Sequence, residues 1–179
     1  MANAVLISIR PEWVKKILAG EKTLEVRKTR PDMETPFKVY IYCTSGRPDL
    51  NIPISHERLM QDYLDTGSMQ SLNCPLGNGK VIGAFTCNKV TNLFSNSRFW
   101  LNEDDVLQTC LSAEEIRKYA NGANGLYGWH ISDLVGYDKP KELCEFKGLR
   151  KTKFGYAPVE IKRPPQSWRY VEEMEDSDG

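Results

Sequence analysis

Polar side chains of several chemical types are concentrated in residues 20–27, where a helical pattern gives way to strict alternation. The alternation places Leu24 and Val26 on one side of a short strand. The other side and the preceding turn then carry a hydroxyl, a carboxylate and two cations: Thr23, Glu25, Arg27 and Lys22. A carboxylate held between cations can recognise a base edge or assist a reaction, but it also suits an ordinary ion pair on a solvated strand.

The composition is that of a globular protein, with 179 residues of which 40% are apolar and 27% are charged. One domain with a single substantial core accounts for this length. No apolar run approaches the roughly 20 residues of a membrane helix, and the start of the chain lacks the pattern of a signal peptide. We therefore expect no membrane association.

The five cysteines are scattered without a Cys-x-x-Cys pair, and the chain has only two histidines. An odd, dispersed set of thiols argues against a disulfide framework and against a zinc site. Two histidines also leave little for a metal site built from imidazoles. The sequence predicts reduced thiols in a cytoplasmic protein, with neither a metal nor a cofactor.

The formal net charge of zero conceals an asymmetry. Residues 172–179 hold five acids and no bases, which leaves a net charge of about +5 on the rest of the chain. Residues 147–163 hold six bases against the single acid Glu160. This basic segment suits a polyanionic partner, or it is a solvated loop. The six bases are Lys147, Arg150, Lys151, Lys153, Lys162 and Arg163.

The apolar and turn patterns predict two helices and several strands. Proline in the first turn and an apolar stripe indicate a helix over 11–19, closed by Gly20. Ser112 and Glu115 form a capping box that opens a helix over 113–120. Alternation and β-forming residues predict strands over 5–9, 23–27, 37–43, 80–92, 126–131 and 167–171.

The remaining stretches are less regular. Residues 44–79 contain prolines and glycines around one helical piece at 56–64, and we interpret them as a long insertion that is either a lid or a disordered loop. Residues 96–105 read as irregular, 132–140 as a loop and 143–146 as a short strand. We expect a single domain over 1–171, followed by an acidic tail at 172–179.

Strands outnumber helices and are unevenly spaced along the chain. This pattern predicts an α+β fold, built on a small, mostly antiparallel β-barrel with a few packed helices.

The pattern Gly-x-Lys-x-x-Glu-x-Arg directly after a helix resembles the signature of the ASCH-domain family, a branch of the PUA-like barrels. It stands here as Gly20, Lys22, Glu25 and Arg27. Stretches at 7–11, 40–43, 129–131 and 165–168 are similar to phage- and bacterial-type members. The resemblance implies a pseudo-barrel of five or six strands flanked by helices, with the Lys, Glu and Arg of the motif at the rim of a cleft.

The resemblance also implies binding of RNA or nucleotides, and some members hydrolyse them, including a single-strand ribonuclease and an amidohydrolase acting on N4-acetylcytidine. In that amidohydrolase a threonine stands where Glu25 stands here, assisted by a lysine equivalent to Lys22. Thr23 is two residues away, which displaces it by roughly 6–7 Å along a strand. That distance is too large for an interchangeable nucleophile, so this chain departs from the family pattern there.

The leading hypothesis is a binding module for single-stranded RNA or a modified nucleoside or nucleotide. Lys22 and Arg27 would contact phosphate, and Glu25 would accept hydrogen bonds from a base edge. The segment 147–163 would follow the RNA backbone, which makes the affinity salt-dependent. Further binding candidates are Arg10, His130, Lys151, Lys153, and the aromatic residues Tyr127 and Trp129, which either stack on a base or belong to the core.

Two alternatives remain open, a hydrolase with either of two chemistries and a protein-interaction domain. In a ribonuclease, Glu25 or His130 would take the proton of a 2′-hydroxyl while the two cations stabilise the phosphorane. In an amidohydrolase, Lys22 would activate Thr23 or a water molecule. In a protein-interaction domain, the motif would only brace the corner between helix and strand.

Overall fold

The computed structural model describes residues 4–67 and 74–174, in which there are four α-helices, one 3-10 turn and nine β-strands. The helices are α1 (Pro11–Leu18), α2 (His56–Thr66), α3 (Glu103–Thr109) and α4 (Ala113–Ala120), and the 3-10 turn is Leu143–Glu145. The strands are β1 (Ala4–Ile9), β2 (Leu24–Arg27), β3 (Phe37–Cys43), β4 (Val81–Ser95), β5 (Arg98–Phe99), β6 (Gly125–Lys141), β7 (Lys147–Thr152), β8 (Gly155–Glu160) and β9 (Trp168–Val171). The fold is therefore mixed α and β, as predicted.

The nine strands form one sheet in the order β2-β6-β4-β3-β1-β9-β7-β8, with β5 paired to β4. Only the pair β1–β3 is parallel, which confirms the mostly antiparallel arrangement. Within the described residues the end strands β2 and β8 do not pair with each other, so the ladder is open. The closed barrel of five or six strands is thus not what forms, because additional strands extend the sheet beyond β1.

The sheet curls strongly between β2 and β1. Four strand spacings separate these two strands in the ladder, which is about 19 Å if the sheet were flat. Nevertheless the Arg27 Nη2 atom on β2 donates to the Ser8 carbonyl oxygen on β1 at 2.7 Å. The five strands β2, β6, β4, β3 and β1 therefore wrap into a barrel-like curve that stops just short of closure. A side chain, and not a backbone ladder, spans the remaining gap.

Local sequence signals explain where helix α1 begins and ends and how the chain then turns into β2. Pro11 occupies the first helical position and the buried stripe contains Val14 and Ile17. Gly20 has φ +74°, the left-handed conformation that ends the helix and turns the chain toward β2. Val26 then points into a small apolar cluster with Leu93, Ile116 and Leu126, which leaves Glu25 on the other face of β2.

Several predicted elements are longer or different in the structure. Residues 132–140 continue β6 instead of forming a loop, because they pair with β4 through a register that shifts at several bulges. Residues 103–109 form α3, whose Asn102 side chain accepts from the Asp105 amide. Residues 143–145 are a 3-10 turn and not a strand. The basic segment contains the hairpin β7–β8 instead of a solvated loop.

The long insertion is anchored at both ends. Leu50 and Ile52 are buried in the main core, and the Gly77 amide donates to the Leu50 carbonyl oxygen. The predicted helical piece is confirmed as α2, none of whose residues is buried. Residues 68–73 lie outside the described residues, as do 175–179 of the acidic tail. Whether the insertion acts as a lid stays a prediction.

Candidate functional site

A pocket of about 600 Å³ occupies the gap between β2 and the end of β1. Its floor is formed by the polar face of β2, and its walls come from α1, α4, the start of the insertion and the segment before β9. Its volume lies in the range of pockets that hold small ligands. The lining residues are Ser8, Ile9, Arg10, Trp13, Lys22, Glu25, Val26, Arg27, Tyr42, Thr44, Ser45, Leu111, Glu115, Tyr119, Pro164, Pro165 and Gln166.

Glu25 lies between the two cations of the motif. Its Oε2 atom is 3.3 Å from Lys22 Nζ, and its Oε1 atom is 2.9 Å from Arg27 Nη2. The three residues are only 6%, 3% and 8% exposed, respectively. The motif residues are therefore brought together as one buried ion cluster with a net charge of +1, which is far from the solvated strand face considered above.

Lys22 is fully engaged by the protein. Its ammonium group has three N–H donors. It donates to the carbonyl oxygens of Leu24 and Thr109, each at 2.9 Å, and its third contact is the Glu25 carboxylate. The Trp13 ring lies over it, with the centroid 5.6 Å from Nζ. Lys22 therefore positions Glu25 and holds α3 against β2, and it has no donor left for the phosphate contact that the sequence suggested.

Arg27 retains donors that a ligand can use. Its guanidinium carries five N–H groups. Nη2 donates to Glu25 and to the Ser8 carbonyl oxygen, while Nη1 makes one long contact of 3.4 Å to Ser167 Oγ. Within the described residues, these contacts leave one Nη1–H and the buried Nε–H without a protein acceptor. The Nη1 side of Arg27 is thus a donor at the pocket floor.

The walls contain aromatic and proline residues that the sequence reasoning did not select. Trp13, Tyr42 and Tyr119 come from three different elements, and no local pattern connects them. Pro165 is fixed because its carbonyl oxygen accepts from Ser8 Oγ at 2.6 Å. The similarity of residues 7–11 and 165–168 to ASCH stretches was the available signal, because these two segments are hydrogen-bonded to each other and together line one side of the pocket. Burial raises the pKa of the Tyr42 hydroxyl, which keeps it neutral.

Of two further candidates, Arg10 lines the pocket and Thr23 does not. Arg10 is exposed and lines the pocket mouth, where its charge can reach an anionic ligand. Thr23 lies outside the pocket lining: its hydroxyl contacts the Gln108 side chain at 3.4 Å, and its amide donates to the Gln108 carbonyl oxygen. The structure therefore separates Thr23 from Glu25, although both belong to one short segment.

The candidates on β6 lie on the strand next to the pocket floor and outside the pocket lining. Trp129 is opposite Glu25 in the ladder but is 0% exposed and packs against Phe37 with ring centroids 5.7 Å apart. A ring without exposed surface offers no face to a base, so we assign Trp129 to the core. Tyr127 is half-buried and packs against the same core. His130 is also half-buried, and its Nε2 atom is hydrogen-bonded to Thr91 Oγ1 at 2.7 Å.

The remaining candidates, Lys151 and Lys153, are exposed on the hairpin β7–β8 and lie outside the pocket lining. Among residues 4–67 and 74–174, no group of three His, Cys, Asp or Glu side chains is arranged to hold a metal ion. None of the helices in this part of the chain is long and apolar enough to cross a bilayer.

Comparison with solved structures identifies the fold. The chain is similar to the crystal structure of ASCH from Zymomonas mobilis, with 19% identity, a TM-score of 0.53 and coverage of 97% of this chain and 90% of that one. The chain has the ASCH fold. A serine-to-alanine mutant of the same protein gives 18% identity and a TM-score of 0.54, covering 96% of this chain and 90% of that one. No family model and no curated protein matches the sequence.

The ASCH resemblance that was based on the signature is therefore confirmed by the fold. Because the neighbours are under one fifth identical, they establish the ASCH architecture and leave the ligand to be argued from the pocket. The narrower resemblance to phage- and bacterial-type members stays a prediction.

Proposed function

We propose that this chain binds single-stranded RNA and holds one unpaired or modified base in the pocket above Glu25 and Arg27. The observation that carries the proposal is the pairing, on one pocket floor, of a carboxylate and a guanidinium that both have unused hydrogen-bonding capacity. Such a pair presents one acceptor beside one donor. Base edges that combine an amino or imino donor with a neighbouring acceptor are complementary to it.

The orientation of Glu25 supports recognition of a base. Each carboxylate oxygen has two lone-pair sites, and the known contacts engage one site on each oxygen. A second site on each oxygen can accept from a base amino group. Because Lys22 and Arg27 fix the carboxylate before the ligand arrives, little side-chain entropy is lost on binding.

The walls and the mouth supply the other two requirements of single-strand binding. Trp13 and Tyr119 offer partly exposed rings on which a base can stack. Arg10 at the mouth can contact a backbone phosphate. The pocket contains three basic side chains against two acidic ones, so its net charge suits an anionic ligand.

The hydrolase alternative has less support. An amidohydrolase mechanism on this motif needs a nucleophile at the floor, but the Thr23 hydroxyl contacts Gln108 instead. Lys22 Nζ contacts two carbonyl oxygens and the Glu25 carboxylate, so these protein groups occupy the position that a substrate or water would need. His130 lies outside the pocket lining. The contacts of Glu25 support a role in recognition more than one in proton transfer.

The state of the cysteines supports a cytoplasmic location, which we also propose. All five are free thiols, which suits a reducing compartment such as the cytoplasm.

A fluorescence-anisotropy titration tests the proposal. Labelled single-stranded RNA of mixed sequence would be titrated with the wild type, Glu25→Gln, and the matched control Glu12→Gln, whose side chain is exposed on α1. Loss of a charge-assisted contact to the base predicts an affinity about tenfold lower for Glu25→Gln and an unchanged affinity for the control.

The same samples distinguish binding from catalysis. Chromatography of RNA and of N4-acetylcytidine after incubation would reveal any product. A Glu25→Gln variant that binds RNA normally but abolishes product formation would establish the hydrolase and overturn the binding proposal. Absence of RNA binding by the wild type at low salt would also overturn it.

A further inference from the structure

The hairpin β7–β8 ends in an exposed phenylalanine among basic side chains. Phe154 at its tip is 98% exposed, which is the highest value among the described large apolar side chains. Arg150, Lys151 and Lys153 precede it and are also exposed. A single exposed apolar ring is common on protein surfaces, so what distinguishes Phe154 is its position at a hairpin tip beside three cations.

The hairpin tip lies toward the edge of the sheet where the pocket opens. Strand β9 is antiparallel to both β1 and β7, so β1 and β7 run in the same direction. Val171 pairs with Ala4 on one side and with Gly148 on the other, which sets these two residues level. From that level, both strands advance toward the edge that contains Ser8 and Arg10. Strand β7 pairs with β9 at Gly148, and from there the hairpin continues in the direction in which β1 runs toward Ser8.

The hairpin is held against β9 by side-chain packing. The rings of Tyr156 and Tyr170 have centroids 5.4 Å apart, and those of Tyr170 and Trp168 are 5.3 Å apart. Gly148 lies so close to Arg169 that a Cβ there would come within 2.4 Å of the guanidinium. These contacts hold the base of the hairpin and the start of β8 against β9.

We propose that Phe154 is a second base-stacking site, which holds an unpaired base of the same RNA strand whose neighbouring base occupies the pocket. This inference rests on the proposed function and specifies its partner as an RNA strand of several nucleotides. Lys151 and Lys153 contact the phosphates on either side of the stacked base. Aromatic stacking combined with a basic groove is how proteins bind single strands without strong sequence preference.

An anionic membrane is the competing partner for a basic tip with one phenylalanine. The structure favours RNA for two reasons. The hairpin runs in the same direction as β1, whose end lines the pocket, and its single ring is a small anchor for a bilayer.

The test compares RNA of about ten nucleotides with nucleoside monophosphates, using the wild type, Phe154→Ala, Phe154→Trp and the control Leu107→Ala. Leu107 is 75% exposed on α3 and lies outside the pocket lining. Phe154→Ala is expected to weaken RNA binding about tenfold and to leave binding of the monophosphates, measured by calorimetry, unchanged. Phe154→Trp should restore RNA affinity, and Leu107→Ala should have no effect.

Two results would overturn the inference. If Phe154→Ala binds RNA like the wild type while Glu25→Gln does not, the pocket functions without a second stacking site, and the proposed function stands alone. If wild-type protein binds no RNA but sediments with phosphatidylserine vesicles in a manner that requires Phe154, the tip is a membrane contact.

Discussion

Lys22 Nζ lies 3.3 Å from Glu25 Oε2, and the same nitrogen donates to main-chain carbonyl oxygens of β2 and α3. This one ammonium group therefore connects the turn after α1, the strand that carries Glu25, and a helix more than eighty residues later in the chain. The lysine of the motif therefore has a structural role, which is to hold these three elements together. Its ligand-binding capacity belongs to the two residues that Lys22 positions, Glu25 and Arg27.

Replacement of Lys22 by methionine should destabilise the fold. The change keeps the length of the side chain but leaves two buried carbonyl groups without donors and removes one of the two cations beside Glu25. We expect the free energy of unfolding to fall by about 3 kcal/mol. Urea denaturation followed by circular dichroism measures it. Lys15→Met, on the exposed side of α1, should change stability by less than about 0.5 kcal/mol. Equal stability of the two variants would refute the role assigned to Lys22.

The salt dependence of RNA binding should report on the hairpin. Each phosphate contact to a single strand contributes about 0.7 to the slope of log affinity against log salt. Replacing both Lys151 and Lys153 by alanine should therefore reduce that slope by about 1.4. Replacement of the exposed Lys15 and Lys139 is the matched control and should leave the slope as in the wild type. Equal slopes for the two double variants would exclude the hairpin from the RNA contact.

His130 should make the protein less stable in mild acid. Burial, and then the nearby charge of Lys89, lower the pKa of His130 below its usual 6.5, while Asp105 opposes the shift. Between the lowered folded pKa and the ordinary value, the unfolded chain binds a proton that the folded chain does not. The contribution to stability is therefore present above about pH 6.5 and is lost as the pH falls.

A substitution isolates this effect. His130→Gln can retain the contact to Thr91 but does not titrate. Denaturation midpoints at about pH 7.5 and pH 5.5 should decline more in the wild type than in this variant. The same decline in both proteins would show that other groups cause the acid sensitivity.

The cysteines should fall into distinct reactivity classes. Burial raises the pKa of the Cys43 and Cys87 thiols to about 11, so both are protonated and shielded at neutral pH. Cys74 and Cys144 are exposed. Ellman's reagent should label the exposed pair rapidly and the buried pair only after unfolding, with the half-buried Cys110 between them. Rapid labelling of Cys43 in the native protein would contradict the packing of β3.

The sequence was most informative where local physics determines the structure. The proline and glycine at the ends of α1 and the capping box of α4 act within a few residues, and both helices form where they were predicted. Residues 37–43 form β3 with the predicted bounds. The pattern in 20–27 correctly put Glu25 and Arg27 on the face opposite the apolar cluster.

Elements determined by distant partners were not predicted. Residues 132–140 contain Asp133, Gly136 and Pro140, which have low strand propensity, yet pairing with β4 makes them part of β6. Helix α3 has little apolar periodicity, and its signal was the asparagine cap followed by three acidic residues. In residues 132–140, pairing with β4 overrode the local preference. For α3, the capping signal alone was too weak to predict a helix.

The candidate site also combines residues that local spacing predicts with residues that only the tertiary fold brings together. The three motif residues could be grouped from their spacing, but the acceptor at Thr109 and the walls at Trp13, Tyr42 and Tyr119 depend on how the sheet curls. For Trp129 the sequence left open whether the ring stacks on a base or belongs to the core, and the curl of the sheet decides this by packing it against Phe37 of β3 and Trp168 of β9.

The hydrogen bonds of Lys22 have an evolutionary consequence. A lineage that lost its ligand would still be under purifying selection at this lysine, because the domain folds less stably without it. The helix–strand signature can therefore persist in paralogues with different ligands or with none. Divergence of function should instead be recorded at exposed positions of the pocket walls and mouth, such as Tyr119 and Arg10. Genomes are thus better sorted by these wall positions than by the signature.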